Sequence, residues 1–87
     1  MIVCKFGGSS VADAVQISKT QNIAKGNPDR KIVVVSAPGK RDKEDDKITD
    51  LLYKCHNLAS NDKPIDSAWE KIRNRYLQIA AVLDITW

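Results

Sequence analysis

The chain has 87 residues, 43% hydrophobic and 29% charged, which is enough for one small globular domain with a modest core. A net charge of +3 with basic residues scattered among acids, and only 6% aromatics, excludes the basic stripe or stacking platform of a nucleic-acid binder. The longest apolar run, Ile79 to Leu83, is far too short to span a membrane, and no charged N-terminal region precedes a long apolar stretch, so a cytoplasmic location is expected.

In chain order, Ile2, Val3, Cys4 and Phe6 read as a short buried strand. The stretch Lys5-Phe6-Gly7-Gly8-Ser9-Ser10 follows at its end, and Ser10-Val11-Ala12-Asp13 reads as an N-cap with an acid three residues on. The glycines are thus a strand-to-helix turn. Such a turn can aim successive N–H groups and the helix dipole at one anion, with no Cβ in the way and Lys5 adding a full charge. The same residues also suit a plain turn beside a water-facing lysine, and spacing alone does not separate the two readings.

A first helix is expected from about Val11 to Lys25, with Val11, Ala14, Val15 and Ser18 inward and Ile17 and Ala24 beside them. Gly26-Asn27-Pro28 should stop it, the glycine being able to turn left-handed. Lys31 to Ser36 then forms a second strand whose four successive β-branched residues leave no polar face, as in a parallel strand covered on both sides. Strand, helix and strand within about 35 residues make a right-handed βαβ unit.

Ala37-Pro38-Gly39 turns the chain, and the mixed-sign run from Lys40 to Lys47 is expected to be a mobile surface loop. A second helix carries Ile48, Leu51, Leu52, Cys55, Leu58 and Ala59 on one face, and Asn61 to Pro64 breaks it. A third is opened by Ser67, with Glu70 in capping-box spacing and a stripe of Trp69, Ile72, Tyr76, Ile79, Ala80 and Leu83. Cys4 and Cys55 read as small core residues and His56 as a surface residue. No cluster has metal-ligand spacing, so a protein metal site is not expected. P-loop and dinucleotide fingerprints are missing too.

The fold class is α/β in the order β-α-β-α-α, but two parallel strands leave both sheet edges unpaired. The sequence closes on Asp84-Ile85-Thr86-Trp87 without a polar tail, so residues 1–87 are expected to be the incomplete N-terminal part of a larger domain.

Lys5-Phe6-Gly7-Gly8-Ser9-Ser10-Val11 resembles the opening signature of aspartokinases, and Val33-Val34-Val35-Ser36-Ala37 followed by Thr49-Asp50-Leu51-Leu52 resembles their second motif. The strand-lysine-glycine opening is shared by the wider amino-acid kinase family. Phe6 before the glycine pair and Ser9-Ser10-Val11 after it favour aspartokinase. The resemblance implies an N-terminal fragment of a parallel-sheet α/β/α sandwich. It further implies ATP-dependent phosphorylation of the side-chain carboxylate of L-aspartate, on the way to lysine, threonine and methionine. Lys5 would be catalytic, and Lys5, Phe6, Gly7, Gly8 and Ser9 would bind the ATP phosphates. Ser36 and Thr49 would contact aspartate, Thr49 being open also to a helix-cap role. Magnesium would arrive with ATP, and a homo-oligomer is expected. The charged insert of residues 40–47 lengthens the loop between the two motifs. The adenine site would lie beyond Trp87, so the 87 residues alone are expected to be inactive. The other class of function left open is a small non-enzymatic module that binds a protein partner through a sheet edge or the last helix.

Overall fold

In the computed structural model, which describes residues 1–85, the two β-branched runs pair side by side as parallel strands, β1 (Ile2–Phe6) and β2 (Arg30–Val35). Val3, Cys4, Lys5 and Phe6 stand opposite Ile32, Val33, Val34 and Val35, with one irregularity between Ile2 and Val3. The crossover between them is a 3-10 turn, Gly8–Val11, and a helix, α1 (Ala14–Lys25). Two further helices, α2 (Ile48–Ser60) and α3 (Asp66–Val82), complete the order β-α-β-α-α. Thr86 and Trp87, the apolar end of the chain, lie outside the described residues.

The core sits between α2 and α3 rather than on the sheet. Ile48, 1% exposed, Leu51 and Ile72 form its centre, with Ala37 and Cys55 packed against them. The buried face of α3 carries Ala68, Ile72, Arg75, Ile79 and Ala80, whereas Trp69 is 48% exposed and Tyr76 also faces outward. The aromatic stripe expected from spacing is therefore rotated: alanine and a buried arginine take the inner positions. Both strands, expected to be covered, expose most of their apolar side chains, because the described helices pack on each other and leave much of the sheet bare.

Helix α1 begins three residues later than the capping pattern suggests. Residues 8–11 wind as a 3-10 turn, and Asp13, not Ser10, caps the helix, its Oδ1 accepting from the Gln16 N–H at 2.9 Å. The Asp13 carboxylate sits where the dipole favours a negative charge. Val15 faces out, and Thr20 is buried instead, its hydroxyl donating to the Ser10 carbonyl at 2.9 Å. Gly26 ends α1 without a left-handed turn: its φ is −69°, and its N–H donates to the Ile23 carbonyl. Ser67 does not cap α3, whose cap is Ile65, two residues earlier.

Candidate functional site: a cleft at the carboxyl edge of the sheet

Parallel strands point their carboxyl ends the same way, and the turns that follow β1 and β2 meet there. Two backbone hydrogen bonds join them, and a third ties the start of α2 to the second turn. The Ser36 N–H donates to the Phe6 carbonyl at 3.1 Å, Gly39 N–H to the Gly8 carbonyl at 2.8 Å, and Ile48 N–H to the Pro38 carbonyl at 3.0 Å. This ladder fixes the turn after β1, the segment after β2 and the start of α2 as one frame. Between them lies a cleft of about 360 Å³. Gly8, Ser9, residues 36–40, Lys47 and Thr49 line it.

Four of the residues singled out from sequence, Gly8, Ser9, Ser36 and Thr49, therefore share one cleft although 41 positions separate the first from the last (49 minus 8). Lys5, Phe6 and Gly7 do not line it. Lys5 lies on the exposed face of β1, opposite Val34 in register, and Phe6 is half-buried on the other face. Thr49 is not the cap of α2; that position belongs to Lys47, which makes no side-chain cap bond.

The two glycines of the turn have different reasons to be glycine. At Gly8 a Cβ would stand 3.1 Å from the Gly39 Cα and 3.2 Å from the Ala37 carbonyl oxygen, tight enough that this backbone would have to give by a few tenths of an ångström. At Gly7 a Cβ would meet nothing within 4 Å, and the residue is extended and exposed. Only Gly7 leaves open space for a ligand to approach. Because a 3-10 turn intervenes, the N-terminus of α1 does not directly follow the glycine pair as the sequence suggests.

The charged run of residues 40–47 is not the free loop that its composition suggests. Arg75 of α3, its side chain only 3% exposed, reaches under it. Nη1 donates to the Gly39 carbonyl at 2.7 Å and to the Ala12 carbonyl at 3.3 Å. Nη2 donates to Asp45 Oδ2 at 2.7 Å and to the Asp46 carbonyl at 2.8 Å. Arg41 grips the same Asp45 carboxylate bidentately, through Nε at 2.7 Å and Nη2 at 2.9 Å. Lys71 makes a longer pair with Asp46 at 3.4 Å. Sequence reasoning missed Arg75 because a lone arginine on a helix reads as solvated; its one signal was its position between Ile72 and Ile79 on the apolar side.

The Arg41 side-chain hydrogen bonds hold the Asp45 carboxyl far below the usual carboxylate range, against the desolvation that would raise it; the Arg41 and Asp46 N–H groups and the Arg75 charge add to the lowering. A carboxyl depressed on folding contributes stability above its unfolded pKa of about 4 and loses it as pH falls through the folded value. Acid unfolding of Asp45→Asn should therefore show a shallower loss of stability below about pH 4 than wild type. Parallel acid limbs for the two proteins would show that the pair contributes nothing to acid sensitivity.

Together the elements define a parallel α/β segment with a cleft at the carboxyl edge of its sheet. No family model matches the chain. It is 46% identical over 87 residues to Aspartokinase 3 of Bacillus subtilis (strain 168), a match covering 98% of this chain and 19% of that protein. The crystal structure of Clostridium acetobutylicum aspartate kinase, described as an allosteric enzyme, superposes with a TM-score of 0.95 at 44% identity, over 100% of this chain and 20% of that one. The chain is thus an aspartokinase homologue throughout its length, with the fold of a fragment of an aspartate kinase domain. It spans about a fifth of the length of the relatives it matches.

Proposed function

We propose that these residues are the N-terminal, incomplete portion of an amino-acid kinase domain that phosphorylates the side-chain carboxylate of L-aspartate with ATP. One observation carries the reading: in a chain 46% identical to Aspartokinase 3, Gly8, Ser9, Ser36 and Thr49 line a single cleft. A carboxylate with a pKa near 4 is already ionised at neutral pH, so the nucleophile needs no general base. A carboxylate oxygen forms a bond to the γ-phosphorus, the bond from that phosphorus to the bridging oxygen breaks, and 4-phospho-L-aspartate and ADP result.

The obstacle is the meeting of two anions, and the work of the site is positioning and charge neutralisation. Gly7 and Gly8 backbone groups and the Ser9 hydroxyl take phosphate oxygens, next to Phe6. Ser36 and Thr49 hydroxyls orient the amino acid. Lys5, exposed and in no ion pair among the described residues, supplies the mobile positive charge for the transferring group. Magnesium enters as the counter-ion of ATP. Association into a homo-oligomer and a cytoplasmic location belong to the same reading; no described helix is long and apolar enough to cross a membrane.

The test is Lys5→Met in the full-length protein, which keeps the stem and deletes the charge. It should lower kcat at least about tenfold, equivalent to roughly 1.4 kcal/mol of transition-state stabilisation, with the fold intact. An unchanged kcat would leave Lys5 a solvated strand residue and remove it from the mechanism.

A further inference from the structure

Two polar side chains are buried among the described residues, Thr20 and Arg75. Both aim a donor at the segment that leads out of the glycine turn: the Thr20 hydroxyl donates to the Ser10 carbonyl, and Arg75 Nη1 to the Ala12 carbonyl. The same Nη1 also donates to the Gly39 carbonyl, on the segment after β2, while Nη2 holds Asp45 and the Asp46 carbonyl, one residue before Lys47. One guanidinium from α3 thus bonds backbone on both sides of the contact between Gly8 and Gly39, although Arg75 does not itself line the cleft. Stability is a weak reason to bury such a group. Well-packed apolar side chains in place of a whole buried ion pair are often neutral or stabilising, whereas a planar fork with fixed donor directions sets the distance and angle between the groups it joins.

We infer that Arg75 is a positioning residue for phosphoryl transfer. It fixes the segment after β2 against the glycine turn, and it acts through the Ala12, Gly39 and Asp46 carbonyls rather than through contact with a reactant. The inference rests on the reading of the cleft as the place where aspartate meets ATP, and adds what sets the separation of the two. On that reading the glycine turn holds the phosphates and Ser36 and Thr49 orient the amino acid, so each reactant is held by one segment. Loss of the bridge leaves the hydrogen-bonding groups of each segment in place and changes their relative position. Binding of either reactant then changes little. The in-line approach of a carboxylate oxygen to phosphorus suffers, because the rate depends steeply on that alignment.

The full-length protein carrying Arg75→Lys or Arg75→Met tests the assignment beside Ala68→Gly, a substitution on the same buried face of α3 that weakens the helix and leaves the bridge alone. Kinetics are measured at a temperature where circular dichroism shows each variant folded. The kcat should fall at least about fivefold in Arg75→Lys and at least about thirtyfold in Arg75→Met, with the KM values for L-aspartate and ATP each within about threefold of wild type. Ala68→Gly should lower the unfolding midpoint and hold kcat within about twofold. If Arg75→Met does not fold, Arg75→Lys, which keeps a charge beneath the loop, decides alone. A folded Arg75→Lys whose kcat falls less than about fivefold, an equal fall in Ala68→Gly, or a rise of either KM beyond about threefold overturns the assignment and leaves Arg75 a structural residue. Those outcomes leave the kinase reading standing. A wild type that transfers no phosphate to aspartate overturns the kinase reading and this inference with it.

Discussion

Replacing Arg75 with methionine should cost about 3–5 kcal/mol of folding stability, the loss expected when one partner of a buried, hydrogen-bonded ion pair is removed. Methionine fills much of the space but donates nothing. The Gly39, Ala12 and Asp46 carbonyls and one oxygen of Asp45 would each lose a donor, and among the described residues every buried side-chain nitrogen and oxygen now has a partner. Urea unfolding of the full-length protein and its variant, followed through the transition of this segment, measures the loss. Arg75→Lys should recover only part of it, because a compact ammonium cannot fork among acceptors on two sides as a planar guanidinium does. A loss below about 1 kcal/mol would mean that water replaces the guanidinium, and the loop would then not depend on α3 for its position.

Gly39→Ala should damage both stability and the cleft. A Cβ at this position would lie 2.7 Å from the Gly8 carbonyl carbon, 2.9 Å from its oxygen and 3.0 Å from the Ser9 nitrogen. All three are backbone atoms, so no side chain can swing aside, and the two turns must part. Overpacking of this kind costs about 1–3 kcal/mol. The displacement also matters for chemistry, since a misplacement on the order of 1 Å at a positioning group can cost about a hundredfold in rate. The expected result is a lowered unfolding midpoint together with at least a tenfold fall in kcat/KM for aspartate phosphorylation. Gly7→Ala is the contrasting variant: with nothing within 4 Å of the added methyl, stability should hold, and any loss of rate reports on the approach of a ligand. Undiminished stability in Gly39→Ala would show that the turns are not locked together as the backbone contact implies.

The contrast between these two positions marks how far the residues alone could be read. The strands at Ile2–Phe6 and Arg30–Val35, their parallel pairing, and the existence of α1, α2 and α3 follow from β-branched runs, apolar periodicity and the length of the crossover, all local properties of the chain. The strand-to-helix turn at Gly7-Gly8-Ser9 was legible for the same reason, since turn chemistry is written in a few adjacent residues, whereas Ser36 and Thr49 stood out only through the resemblance to aspartokinases. What only the tertiary structure decided depends on atoms distant in sequence. Gly39 has no room for a Cβ because Gly8 crosses it, 31 positions earlier, and neither neighbourhood reveals the other. The charged loop has a fixed shape because one guanidinium from α3 satisfies acceptors at Ala12, Gly39, Asp45 and Asp46, and composition records only that the signs are mixed. Burial itself was misjudged on the strands and on the aromatic stripe of α3 for this reason: periodicity tells which residues share a face, but which face is covered depends on where the neighbouring elements pack.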